Sequence, residues 1–230
     1  MDSFHAEIDL VKAEAFFREA MEKNSEEGKY WLAILFDKGD EMKEVDQDAF
    51  QWVKVHAEAG SVLHMYALAR CYDKGRYVDK DLEKAVEWYS KTAEKGNTVS
   101  VFNLGVCYEF GEGVAEDKEK AVECYLKAVE KRNCKAMVAL GLCFRNGVGV
   151  AEDIDKCVEL FMQAVEKGNS DGMLNLASCY EDGVGFEEDK QKAFEWYFNA
   201  AQKGNSFGCL RVGTCYEDVL KIRRKHSNGT

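Results

Sequence analysis

Phe102-Asn103-Leu104-Gly105-Val106-Cys107-Tyr108, then Gly111-Glu112-Gly113-Val114, then Asp117 and Lys120-Ala121-Val122-Glu123-Cys124-Tyr125, is the stretch whose reading decides the fold. Its landmarks recur along the chain. Phe36, Tyr72, Tyr108, Phe144, Tyr180 and Tyr216 stand 36 residues apart, each four residues after Leu32, Leu68, Leu104, Leu140, Leu176 or Val212. A small residue follows each of those aliphatics: Ala33, Ala69, Gly105, Gly141, Ala177 and Gly213. Self-similarity at such a period marks an array of supersecondary units that bury their apolar faces by stacking.

Half a period away lies a second run, Ala49, Ala85, Ala121, Cys157 and Ala193, with Trp52-Val53, Trp88-Tyr89, Cys124-Tyr125, Leu160-Phe161 and Trp196-Tyr197 three and four residues later. Apolar residues at i, i+3, i+4 and i+7 define an amphipathic helix, so each repeat holds two. Gly39, Gly75, Gly111, Gly147 and Gly183 stand where a first helix ends, because glycine enters the left-handed region without a Cβ clash. Asp81, Asp117, Asp153 and Asp189 fall where the second helix needs an N-cap. Gly96-Asn97, Gly168-Asn169 and Gly204-Asn205 close the second helix; Arg132-Asn133 breaks that pattern and predicts a tighter, strained turn.

The whole chain, 1–230, therefore reads as a single all-α repeat domain. A capping helix occupies 1–24, with Ala13, Phe16, Phe17 and Ala20 in phase with a second helix. Repeats follow at 25–60, 61–96, 97–132, 133–168 and 169–204, and a capping helix with a basic tail fills 205–230. Val219 replaces the terminating glycine there, which predicts a last helix running on through Leu220 and Ile222. Twelve helices are expected in all.

Composition narrows the function classes. The net charge is −11 and 46% of the residues are hydrophobic, so the chain has material for a core and repels phosphate backbones and anionic membranes. No run approaches the ~20 apolar residues of a membrane span, and the acidic start Met1-Asp2-Ser3-Phe4-His5-Ala6-Glu7 is unlike a secretory signal. The expected location is cytoplasmic. The cluster Lys221-Ile222-Arg223-Arg224-Lys225-His226 reads either as a nuclear import signal or as a cationic helix end complementing the dipole.

The quoted stretch resembles the Sel-one-like repeat (SLR) family, a relative of the tetratricopeptide repeat with a longer turn. The resemblance runs from about residue 9 to residue 218 and rests on the period, the double-glycine turn and the second-helix Ala-x-x-Trp-Tyr together. The chain departs from the pattern at Lys43, Asp79, Ala115, Ala151 and Glu187, where the family often has proline, and at Glu41 and Tyr77, where the second glycine is missing. The resemblance implies an α/α solenoid, a right-handed superhelix of α-hairpins, acting as a scaffold or adaptor.

In such arrays the first helix of each pair lines the concave face. Residues one and two before each core leucine, and two after it, then point to the groove. On that basis Tyr30, Trp31, Tyr66, Arg70, Phe102, Asn103, Asn175 and Arg211 are candidates for binding a peptide or protein partner, with Ile34, Val106, Leu142 and Ser178 beside them. Amide and guanidinium groups hydrogen-bond an extended backbone or a carboxylate, and aromatic faces bury side chains. The opposing reading is that Tyr and Phe pack and that Asn103 and Asn175 bond nearby backbone. An oligomerising module that self-associates through array ends near Phe16 or Val219 is the alternative function. An enzyme acting on a cell-wall-like ligand is a third.

Nothing in the sequence supports catalysis or a cofactor. His5, His56, His64 and His226 lie in no HExxH-type arrangement, and the Gly-x-Gly turns follow no strand. Nine cysteines are present. Cys71, Cys107, Cys143, Cys179 and Cys215 share one repeat position, where stacked helices ~8–10 Å apart exceed the ~7 Å reach of a disulfide. Cys124, Cys134, Cys157 and Cys209 show no CxxC spacing. The cysteines are read as small packing hydrophobes, with no metal site.

Overall fold

The computed structural model describes residues 47–227. Among these, regular structure is helical throughout: α1 (Gln47–Glu58), α2 (Val62–Lys74), α3 (Leu82–Glu94), α4 (Thr98–Phe110), α5 (Lys118–Glu130), α6 (Cys134–Asn146), α7 (Ile154–Glu166), α8 (Ser170–Asp182), α9 (Lys190–Gln202) and α10 (Ser206–Ser227). The cap and first helix expected before residue 47 lie outside the described residues. The helices divide into two compact units. One holds the described residues up to Cys107 with Gly111–Ala115; the other holds Tyr108–Phe110 with Glu116 onward.

Among the described residues, the turn between first and second helices is built the same way four times. Gly75, Gly111, Gly147 and Gly183 cap α2, α4, α6 and α8 in the left-handed conformation. The N–H of Asp81, Asp117, Asp153 and Asp189 then donates to the carbonyl of the aromatic that ends the first helix, at 2.8–3.0 Å. Each Asp carboxylate accepts the backbone N–H of the lysine three residues on. That lysine folds back over the aromatic ring, with its ammonium 5.3–5.6 Å from the centroid of Tyr72, Tyr108, Phe144 or Tyr180. The same Lys–Asp ion pair holds all four carboxyls below the ordinary carboxylate range; at Asp189 the hydrogen bond from the Lys192 backbone is the larger cause. Val78, Val114, Val150 and Phe186 are half-buried beneath these turns, and Phe186 stacks on Tyr180 at 4.2 Å.

Among the described residues, two non-glycine residues take a positive φ, Tyr77 (61°) and Arg132 (62°). Arg132 stands where the Gly-Asn pattern breaks and strain was expected, and Tyr77 stands where the second turn glycine is missing. The second turn glycine is needed for space as well as for φ. A Cβ on Gly113 would lie 2.2 Å from the Leu82 carbonyl oxygen, and one on Gly149 would lie 2.1 Å from that of Lys118.

The asparagines after the second helices close them as expected, their N–H groups donating to the carbonyls of Thr92, Ala128, Ala164 and Ala200 at 3.0–3.1 Å, and do a second job as well. They cap the next first helix: the side chains of Asn97, Asn133, Asn169 and Asn205 accept from the N–H three residues on, at 2.8–3.0 Å. The last helix runs on as predicted, 22 residues against 13 for each of the other described first helices.

The core alternates large and small. A Cβ on Gly141 would lie 2.6 Å from the Phe161 ring, so the small residue after the core leucine is the socket for a second-helix aromatic. Tyr89, Tyr125, Phe161 and Tyr197 recur at the same second-helix position and are buried. In α10 the equivalent Gly213 has nothing within 4 Å, and Phe207, Leu210 and Tyr216 are 65%, 62% and 56% exposed.

Candidate functional site

The first-helix candidates fall in both units, and each unit is taken by itself. In the first, Tyr66 and Arg70 rise from α2 one turn apart and converge on the same neighbours. The Tyr66 ring lies 6.2 Å from that of Tyr89. Arg70 Nη1 lies 3.9 Å from Asp73 Oδ2, which accepts the Tyr89 hydroxyl at 3.2 Å. Burial first, and then the Asp73 charge, push the Tyr89 phenol up, while Arg70 opposes the shift. Phe102 and Asn103 stand on α4, both half-buried. Phe102 repeats the Tyr66 position 36 residues on. The Asn103 Nδ2 atom is buried and has no hydrogen-bond partner in the structure, so Asn103 does not satisfy itself on nearby backbone through that atom.

The second unit treats its candidates differently. Asn175 Nδ2 donates to the Asp171 carbonyl in its own helix at 2.8 Å, the backbone bond that the packing reading anticipated. Arg211 is held by both carboxylate oxygens of Glu181 and lies 5.1 Å from the Tyr197 ring centroid. Tyr30 and Trp31 lie outside the described residues.

A set of residues that the sequence reading passed over organises both units. The position after the repeat aromatic holds Asp73, Glu109, Arg145 and Glu181. Three of these are acceptors for a buried tyrosine of the second helix: Tyr89 to Asp73, Tyr125 to Glu109 at 2.6 Å, and Tyr197 to Glu181 at 2.6 Å. A buried hydroxyl needs a partner, and a carboxylate is a strong one. The 36-residue register carries this signal as plainly as it carries the leucines. Where the tyrosine becomes Phe161, the acid becomes Arg145, which turns to the next hairpin and donates to Ser178 Oγ (3.3 Å) and Asp182 Oδ2 (3.0 Å).

Among the described residues no group of three His, Cys, Asp or Glu side chains could hold a metal ion, and no helix is long and apolar enough to cross a membrane. Cys71, Cys107, Cys143 and Cys179 are buried free thiols. Burial raises the first three, and Cys143 reaches about 11.

Repeated helix hairpins with a left-handed glycine turn and an Asp-capped second helix define an α-hairpin repeat protein. The Sel1 repeat profile matches residues 26–61, 65–97, 98–133, 134–169 and 170–205. The chain belongs to the Sel1 repeat family. Among solved structures it is similar to a Sel1 repeat protein from Oxalobacter formigenes, at 27% identity over 91% of this chain and 86% of that one, with a TM-score of 0.76. It is also similar to a protective antigen with an SLR fold from uropathogenic Escherichia coli strains, at 28% identity over 92% of this chain and 45% of that one (TM-score 0.70). A sel1 repeat protein from Klebsiella pneumoniae, 22% identical over 87% of this chain and 98% of that one, shares the fold with a TM-score of 0.57. No curated protein matches. The fold class is all-α, the α/α-solenoid class of helix-hairpin repeats of about 36 residues. Sel1 repeat proteins generally act as non-enzymatic protein-interaction scaffolds.

Proposed function

We propose that this chain is an adaptor that binds an extended segment of a partner protein along its first helices, and that it is not an enzyme. The observation that carries the reading lies in the first unit. Tyr66 and Phe102 occupy one repeat position on successive first helices, both half-buried, with Arg70 beside Tyr66 and the unsatisfied Asn103 amide beside Phe102. Half-open aromatics offer apolar area at low entropic cost, and the amide offers a donor. A rotation of Asn103 onto a ligand carbonyl removes the cost of leaving that donor buried and unpaired. Asn175 and Arg211 contribute less, because each is already engaged within its unit.

The test is capture from native lysate by the wild-type chain and by a Tyr66→Ala/Phe102→Ala/Asn103→Ala variant with unchanged helicity. A partner retained by the wild type and lost by the variant supports the face. Equal capture by both removes the binding site from it, and no capture by either sinks the adaptor reading.

A second reading, self-association, rests on the open socket at Gly213 and the exposed Phe207, Leu210 and Tyr216 of α10. Exposed clusters of this kind mark interaction sites. Sedimentation analysis across a concentration series should show association that Phe207→Glu/Leu210→Glu abolishes. A monomer at all concentrations excludes it.

A further inference from the structure

The second helices present an apolar row that the repeat's own packing does not use. Leu126, Met162 and Phe198 stand 36 residues apart on α5, α7 and α9, all within the second unit. They are 44%, 48% and 41% exposed. The residue before each, Tyr125, Phe161 or Tyr197, is buried and fills the core. In the first unit the same position holds Lys54 and Ser90. The hairpins therefore stack without an apolar side chain there, yet three successive ones keep it. Single exposed apolar residues are ordinary; a row of them in repeat register is an interaction surface.

The residues on either side of the row fix what it would accept. Side chains three and four apart share a helix face. Three residues on, Val129, Val165 and Ala201 are half-buried and widen the row on one side. At α9 the Phe198 ring also stacks on Phe194 at 6.2 Å. On the other side lie Glu123, Glu159 and Glu195, three residues before, and Glu130, Glu166 and Gln202, four after. At about 100° per residue both sets sit about 40–60° round each helix from the row, and all are exposed. Internal cations do little to neutralise this edge. In α3 of the first unit Lys91 pairs with Glu87 at 2.6 Å. Gln163 and Asn199 replace that lysine in α7 and α9. Glu159 and Glu195 instead accept from the neutral amides of Gln163 (3.1 Å) and Gln191 (3.3 Å). Lys120, Lys156 and Lys192 are engaged by the capping aspartates at the start of each helix.

We propose that this second-helix face of the second unit docks an amphipathic helix of a partner protein whose apolar side chains are flanked by lysine or arginine. The apolar row takes the partner's anchors, and the glutamate edge takes its cations. Packed helices lie ~8–10 Å apart, close to the ~10.5 Å between residues seven apart on a helix. Anchors at i, i+7 and i+14 of a helix laid across α5, α7 and α9 therefore meet successive hairpins. A second copy of this chain is a poorer occupant, because its net charge is −11 and its own glutamate edge would meet like charge.

Fluorescence anisotropy tests this on the full chain, with a labelled three-heptad peptide of leucine and lysine, apolar on one face, as the probe. Saturable binding is expected, weakened by salt. Leu126→Ser/Met162→Ser/Phe198→Ser should weaken it at least about tenfold, because a few anchors dominate binding. Glu123→Gln/Glu159→Gln/Glu195→Gln should weaken it less and flatten the salt dependence. All six side chains are exposed, so helicity and the melting midpoint should hold in both variants. Tyr66, Phe102 and Asn103 are intact in both, which keeps the outcome separate from that of the first-helix face. Equal binding by the wild type and the serine variant overturns the proposal, as does equal affinity for a counterpart peptide with glutamate in place of lysine. Absence of saturable binding overturns it too. So does self-association of the wild type, in place of peptide binding, that the serine variant abolishes; that result would give the face to a second copy.

Discussion

In the α8–α9 hairpin, Tyr197 donates its hydroxyl to Glu181, and Arg211 from α10 closes on the same carboxylate. In the α6–α7 hairpin of the same unit, Phe161 stands in the place of Tyr197 and Arg145 in that of Glu181. Both rings are buried in equivalent sockets, against Ala177 and Gly141 respectively. The difference shows that the acid is there for the hydroxyl. When the ring loses its oxygen, the acceptor position is released, changes sign and is used to hold the next hairpin through Ser178 and Asp182. Between these two hairpins the variation therefore comes as a compensated pair.

The sharpest way to break that comparison is Phe161→Tyr, which buries a hydroxyl beside a guanidinium that cannot accept from it. We expect a loss of about 1–3 kcal/mol in urea unfolding, the cost of an unsatisfied buried group. Adding Arg145→Glu should recover at least half; no recovery would mean that the two positions are independent. Gly141→Ala tests the socket. The methyl meets the Phe161 ring at 2.6 Å, so overpacking of about 1–3 kcal/mol, partly offset by about 1 kcal/mol of helix propensity, leaves a net loss near ~1 kcal/mol. At Ala177, where the methyl is native, Ala177→Gly should instead lose about 0.5–1 kcal/mol. Thermal melts of the pair distinguish a filled socket from simple propensity.

Tyr197→Phe should cost about 1 kcal/mol, because Glu181 keeps Arg211. It should also change the alkaline limb. Burial, then the bond to Glu181, push the Tyr197 phenol from 10.0 up to about 12. The neutral phenol is favoured in the folded state, so this stability is fully present below pH ~10 and is lost as pH rises from there towards about 12. Tyr197→Phe should flatten that part of a stability–pH profile; an unchanged slope would remove Tyr197 from it. The smallest effect is expected from Arg145→Ala. The ion pair with Asp182 is partly exposed, and such pairs contribute about 0–1 kcal/mol, so a loss well beyond that would give Arg145 a larger structural role.

The fold was legible because each repeat element depends on local chemistry. Gly111 and Asp117 mark the turn by backbone conformation and capping, and the spacing of Leu104, Tyr108, Ala121 and Tyr125 marks the buried faces. Arg132, a non-glycine residue at a broken position, announced its own strained turn. The candidate face was legible only as a set of positions. Asn175 and Asn103 look alike in the sequence, yet one bonds its own helix and the other leaves Nδ2 unsatisfied. That difference depends on neighbours contributed by other helices.

The 36-residue register, the helix boundaries and the family follow from residue order, because capping, glycine turns and apolar periodicity act within a few residues of one another. Packing decided what lies further apart in the chain. Examples are Tyr125 with Glu109, and Arg211 with Glu181 thirty residues away. Such pairs form where side chains from different helices share one small volume, and only the stacked helices specify which side chains those are.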